Sequence, residues 1–182
     1  MKNAVIVHGR DGSPNDFWYP FAKNGLLSLG YEVWVPQLPD RATPNLETQL
    51  PFLLREGRFT SDTVVIAHSA GAPLVLALLE NVTSKMKQVI LVAAKISPKP
   101  DSSGPTIVKE DYDWDLIRRN VSDLTIINSN NDPWGCDDIQ GRILFDRLGG
   151  TLIIRNGEGH MGSKKYNQPY REFPLLLKLV VD

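Results

Sequence analysis

Thr63-Val64-Val65-Ile66-Ala67-His68-Ser69-Ala70-Gly71-Ala72 runs on without a break into Pro73-Leu74-Val75-Leu76-Ala77-Leu78-Leu79-Glu80. Residues Thr63–Ala67 form a short, continuously apolar, β-branched run, the pattern of a strand covered on both faces. The apolar segment from Ala70 to Glu80 is longer and reads as a buried helix. Strand therefore passes to helix through a turn of small residues around Ser69. The turn fits G-x-S-x-G with Ala67 in the first glycine position. In such an elbow the serine sits on strained backbone and its neighbours two positions away come close, so only small side chains fit. The helix N-terminus behind it favours negative charge near the serine. A plainer reading makes Ser69 a helix cap, but the strand–turn–helix context is the one the elbow demands.

Working outward, five more short apolar runs read as strands: Ala4–Val7, Glu32–Val35, Gln88–Val92, Leu124–Asn128 and Thr151–Ile154. Helical patterns lie between and after them, at Asn15–Leu29, Asn45–Glu56, Trp114–Asn120, Asp137–Leu148 and Tyr170–Val181. Thr43 with Pro44 reads as the cap and first position of the second of these helices. The βαβα alternation predicts an α/β fold: one doubly wound, mostly parallel six-stranded sheet flanked by helices. At 182 residues a single domain over 1–182 is expected. Lys95–Tyr112 lacks periodicity and is the candidate lid, small enough to leave a pocket open.

Composition narrows the function. Apolar residues make up 42% and charged residues 23%, ordinary for a globular chain and wrong for a disordered or fibrous one. Twenty Lys and Arg stand against 21 Asp and Glu, a net charge of −1. That balance argues against nucleic-acid or anionic-membrane partners, which bind clustered positive charge. Cys136 is the single cysteine, so neither an internal disulfide nor a Cys/His zinc cluster is expected. The longest apolar runs fall far short of the roughly 20 residues of a bilayer span. Met1–Val7 reads as a strand rather than a signal peptide, so a soluble cytoplasmic protein is expected. The sequons at Asn81 and Asn120 are then chance matches.

In doubly wound sheets ligands bind at the carboxyl ends of the strands. After the first strand comes His8-Gly9-Arg10-Asp11-Gly12-Ser13-Pro14. This is either a set of backbone donors suited to an anion or a simple turn, with Ser13 and Asp16 resembling a helix cap. After the fifth comes Asn128-Ser129-Asn130-Asn131-Asp132-Pro133-Trp134. Asp132 is there either a turn-former or a carboxylate that orients a histidine. After the sixth comes Asn156-Gly157-Glu158-Gly159-His160-Met161-Gly162, where His160 is either a solvent-facing loop residue or the base. The order Ser69…Asp132…His160 is that of α/β-hydrolases, and each residue falls just past a strand. Gly157, Gly159 and Gly162 also match G-x-G-x-x-G, but no βαβ unit follows to make a dinucleotide site. His8, His68 and His160 lack the spacing of a metal site. No cofactor is implied.

The sequence resembles the small α/β-hydrolases related to retinoblastoma-binding serine hydrolase, including the bacterial YdeN-like proteins. The resemblance rests on His8-Gly9 through Asp16-Phe17-Trp18-Tyr19-Pro20, on His68-Ser69-Ala70-Gly71, on Asp132-Pro133 and on Gly159-His160. It implies a Ser69, Asp132, His160 triad and serine-hydrolase activity on small esters, with little or no cap. The chain departs from that relative in lacking a Leu-x-Cys-x-Glu motif, so no retinoblastoma partner is carried over. The reaction expected is acyl transfer to Ser69, with His160 as base and Asp132 holding its tautomer. The oxyanion is assigned to the N–H groups of Ala70 and Arg10. Trp18, Trp114 and Trp134 fall near strand ends, where they either line an acyl pocket or pack in the core. Two alternatives share the fold: a peptidase or thioesterase on the same triad, and a non-catalytic binding module.

Overall fold

The computed structural model describes residues 1–97 and 106–180. The strands are β1 (Asn3–Val7), β2 (Glu32–Trp34), β3 (Thr63–His68), β4 (Met86–Val92), β5 (Val121–Ser129) and β6 (Thr151–Arg155). They form one sheet in the order β2-β1-β3-β4-β5-β6, and every pair is parallel. The helices are α1 (Tyr19–Ser28), α2 (Leu46–Glu56), α3 (Gly71–Leu79), α4 (Trp114–Arg119), α5 (Asp138–Leu148) and α6 (Pro174–Leu179).

The period-two alternation of the strands splits the core into two layers. Val5, Val7, Val65, Ala67, Val89 and Leu91 point to one face, where they pack with α3 and with residues of α2, α4 and α5. Ala4, Ile6, Val64, Ile66, Ile90 and Val92 point to the other, against Trp18, Tyr19, Leu26 of α1 and Leu176 of α6. Because the central strands are buried on both faces, they read in sequence as unbroken apolar runs. All nine residues of α3 are buried, which is why it shows no polar face.

Three helix starts differ from the sequence reading. The segment from Asn15 does not begin α1. Asp16 turns its carboxylate back to accept the Ser13 N–H at 2.8 Å, and Phe17 takes φ +51°. A residue at positive φ cannot continue a right-handed helix, so α1 waits until Tyr19. Asn45 rather than Thr43 caps α2, accepting the Thr48 N–H at 3.0 Å. Asn supplies a side-chain acceptor of the right reach, which displaces the Thr43-Pro44 signal. Tyr170 has φ +38°, and α6 starts only at Pro174. Part of the Lys95–Tyr112 stretch, residues 98–105, lies outside the described residues. Among the described residues no helix is long and apolar enough to cross a membrane.

The strand order reverses between β1 and β3: the chain first moves to β2 on one side, then crosses back to β3. Loops leaving β1 and β3 diverge there and open a crevice at the sheet's carboxyl edge.

Candidate active site

Ser69 stands at that crevice. Its φ is +55°, a left-handed conformation that costs a non-glycine residue free energy and is held here by its surroundings. Its N–H donates to the Val92 carbonyl at 2.9 Å, and its own carbonyl accepts the Ala72 N–H at 2.9 Å as α3 begins. Two glycines let neighbouring chain approach. A Cβ on Gly71 would stand 2.7 Å from the Val7 carbonyl oxygen, and one on Gly9 would stand 2.8 Å from the Ser69 Cβ. Ala67 is fully buried in β3, so the first position of the motif accepts a methyl group.

His160 Nε2 lies 2.9 Å from Ser69 Oγ, and its Nδ1 lies 2.7 Å from Asp132 Oδ2. An ionised carboxylate only accepts, so Nδ1 carries the hydrogen and Nε2 is left to accept from the Ser69 hydroxyl. The three side chains make one hydrogen-bonded line. Asp132 uses its other oxygen, Oδ1, to accept the Trp134 N–H at 2.8 Å. It is therefore both turn-former and histidine partner, and the two sequence readings of it are compatible. The competing acids are engaged elsewhere. Asp137 caps α5 through the Gln140 N–H at 3.1 Å. Glu158 pairs with Arg155, which holds its carboxyl below the usual range.

The loop carrying His160 is tied down by residues that sequence reading passes over. Gln168 Oε1 accepts the His160 N–H at 2.9 Å, and a Cβ on Gly159 would collide with that same amide. The run after β5 holds the loop from the other side. Asn131 Oδ1 accepts the Gly159 N–H at 2.8 Å, and Ser129 Oγ accepts the Glu158 N–H at 3.0 Å. The cue in the sequence is the cluster Ser129-Asn130-Asn131, whose short polar side chains bond readily to backbone.

Behind the site is a buried relay. His68 Nε2 lies 2.9 Å from the His160 carbonyl oxygen, which can only accept, so Nε2–H donates. His68 Nδ1 then accepts from the Tyr19 hydroxyl at 2.7 Å. Burial, helped by the nearby charge of His160, pulls the His68 pKa down to about 3. Burial also raises the Tyr19 hydroxyl above its usual range. His8 accepts the Leu38 N–H on Nε2 at 3.1 Å and donates from Nδ1 to the Gly9 carbonyl at 2.8 Å. Both imidazoles are thus spent on protein groups. Asp132, Cys136 and His160 bring potential metal-ligand atoms within 4.8 Å of one another. Burial, reinforced by Asp132, pushes the Cys136 thiol up.

A cavity of about 480 Å³ opens over Ser69, and Arg10, Ala70 and Trp134 are among the residues lining it. Of the three tryptophans considered, Trp134 lines this cavity. Trp18 is fully buried, with its ring N–H on the Met161 carbonyl at 2.9 Å, and Trp114 packs beside Tyr112. From the stretch read as a lid, Lys95, Ser97, Thr106, Ile107 and Val108 reach the cavity wall.

Residues 4–179 match the family described as serine hydrolase. The chain is 27% identical over 173 residues to serine hydrolase RBBP9 of Rattus norvegicus, covering 92% of this chain and 91% of that one. Its fold superposes on the crystal structure of the ydeN gene product of B. subtilis with a TM-score of 0.87, at 22% identity, over 98% of this chain and 96% of that one. It also superposes on Est1E from Butyrivibrio proteoclasticus, solved with ferulic acid bound, with a TM-score of 0.70 at 12% identity, over 98% and 86% of the two chains.

Proposed function

Since this chain belongs to the serine hydrolase family, we propose that it cleaves a small ester or related acyl compound through an acyl-enzyme on Ser69. The observation that supports this best is the position of His160, 2.9 Å from Ser69 and 2.7 Å from Asp132, with its tautomer set by the carboxylate. Ser69 Oγ attacks the acyl carbon as His160 Nε2 takes the hydroxyl proton. The imidazolium so formed is stabilised by Asp132. The tetrahedral oxyanion is received by the N–H of Ala70, at the start of α3, and by that of Arg10 in the loop after β1. Both residues border the same cavity as Ser69. When the carbon–oxygen bond to the leaving group breaks, His160 returns the proton to the departing alcohol. Water then attacks the acyl-enzyme, gives its proton to His160, and the acid leaves with Ser69 restored.

The same chemistry serves thioesters and amides, so the leaving group is the open variable. Hydrolysis of 4-nitrophenyl butyrate across pH tests the reading. Turnover should rise from acid to neutral pH, because only a neutral imidazole can accept the serine proton. Ser69→Ala and His160→Ala should each lower kcat by several orders of magnitude with the thermal melt preserved. A His160→Ala variant that keeps near wild-type turnover would overturn the mechanism.

A further inference from the structure

The carboxyl end of β4 lies between β3, which delivers Ser69, and β5, which delivers Asp132. The chain leaving β4 carries Lys95 to the wall of the cavity over Ser69. This short segment is held firmly. The fully buried Asn128 accepts the Ala94 N–H at 2.9 Å and donates to the Ala94 carbonyl at 2.9 Å. Just beyond Lys95, Gln140 Oε1 accepts from the Ile96 N–H at 3.2 Å and from the Ser97 hydroxyl at 3.1 Å. Two side-chain amides thus clamp the backbone on either side of one lysine. Polar clamps of this kind, one fully buried and one half-buried, hold the backbone at Lys95 in place.

Lys95 is half-buried. Its Nζ lies 3.4 Å from where a Cβ of Gly135 would stand, which places the ammonium beside the turn that leads to Cys136. Gly135 adjoins Cys136, whose sulfur is within 4.8 Å of the Asp132 and His160 ligand atoms. Among the described residues no carboxylate pairs with Lys95. The rest of the wall is mostly of the same sign. Among the described lining residues Arg10, Lys164 and Lys165 stand against Asp11; Lys164 is matched outside the cavity by Asp16 at 2.7 Å, and Lys165 lies over the Trp134 ring at 4.8 Å. This excess sits in a chain whose net charge is −1. A partly desolvated ammonium that no described carboxylate pairs is unfavourable, and an incoming anion relieves it.

We propose that the ester this site takes carries an anionic group, a carboxylate in the simplest case, which Lys95 receives while Ser69 attacks the acyl carbon. The proposal rests on the serine-hydrolase reading above and adds its substrate class. The apolar part of such a substrate faces Ile107, Val108 and Trp134.

Two matched pairs of esters test it and locate the charge. For an acyl-side anion, mono(4-nitrophenyl) glutarate is compared with 4-nitrophenyl valerate. For an alcohol-side anion, 4-acetoxybenzoate is compared with 4-methylphenyl acetate. At low salt, kcat/KM should favour the anionic member of one pair by about tenfold or more, the scale of one charge-assisted hydrogen bond. Lys95→Met and Lys95→Gln should bring that ratio close to one, Lys95→Arg should keep most of it, and added salt should reduce it. Equal kcat/KM within both pairs for the wild-type protein overturns the proposal, and so does a ratio unchanged in folded Lys95→Met or Lys95→Gln. Fluorophosphonate labelling of Ser69 in the same preparation separates the two readings. A labelled protein without preference contradicts only the anionic substrate, whereas an unlabelled one contradicts the serine-hydrolase reading beneath it.

Discussion

Asp132 divides its two carboxylate oxygens between the His160 imidazole and the Trp134 N–H, and its side chain is wholly buried. Asn at this position keeps an acceptor for the turn but can present an N–H to the imidazole. The ring must then carry its hydrogen on Nε2, where it cannot accept from Ser69. Asp132→Asn should therefore lower kcat by about 10⁴-fold, as loss of the orienting acid does in other triads, with little change in the melt. Asp137→Asn, Asp138→Asn and Glu158→Gln should lower it far less, since Asp137 and Asp138 serve the start of α5 and Glu158 serves Arg155. Turnover numbers for the four variants decide the matter, and an active Asp132→Asn beside a dead Glu158→Gln would reassign the acid. Ser69, Asp132 and His160 were legible in sequence because each is a reactive type just past a strand. Tyr19, Gln168 and Lys95 were not, because their positions depend on contacts across the fold. Tyr19 meets His68 from the start of a helix 49 residues earlier in the chain.

At the scale of elements, the strands were the legible part. Burial on both faces writes itself into sequence as apolar β-branched runs in the central strands, and the half-buried edge strands β2 and β6 also stand where the sequence shows short apolar runs. Helix beginnings were less legible, because single side chains decide them. Asp16 turning back on Ser13 delays α1, and Asn45 outbids Thr43 for α2. The passage from β3 to α3 is the exception, because its small residues answer a fixed constraint. At Gly71 that constraint is the backbone of β1, whose Val7 and His8 carbonyl oxygens would stand 2.7 and 2.9 Å from an added Cβ. Backbone held in the middle of a sheet gives way poorly, so Gly71→Ala should cost about 1–3 kcal/mol of stability. It should also lower turnover by shifting Ser69 away from His160. Chemical denaturation and ester hydrolysis on the same variant check both, and a Gly71→Ala protein of wild-type stability and rate would show that the contact is slack.

At the scale of the whole molecule, one parallel sheet brings the ends of β3, β5 and β6 together, and the buried groups that hold them there leave a mark on stability. Folded His68 is depressed to about 3 against 6.5 for a free histidine. Between those values the unfolded chain binds a proton that the folded chain refuses. The stability carried by neutral His68 is complete above pH 6.5 and declines as pH falls toward 3, by about 1.4 kcal/mol per pH unit for one proton. His8, also lowered by burial, acts in the same direction. Urea unfolding at pH 7, 6 and 5 should show this loss before carboxylate titration dominates, and a flat profile would contradict the neutral relay. The strained backbone of Ser69 and its bond to His160 are likewise properties of the assembled sheet and do not exist in the open chain. The most direct measurement is reaction with a fluorophosphonate probe, read by peptide mass spectrometry, on folded and on urea-unfolded protein. One adduct is expected, on Ser69, formed rapidly in the folded protein and not in the unfolded one. An adduct on another residue, or no adduct on the folded protein, would contradict it.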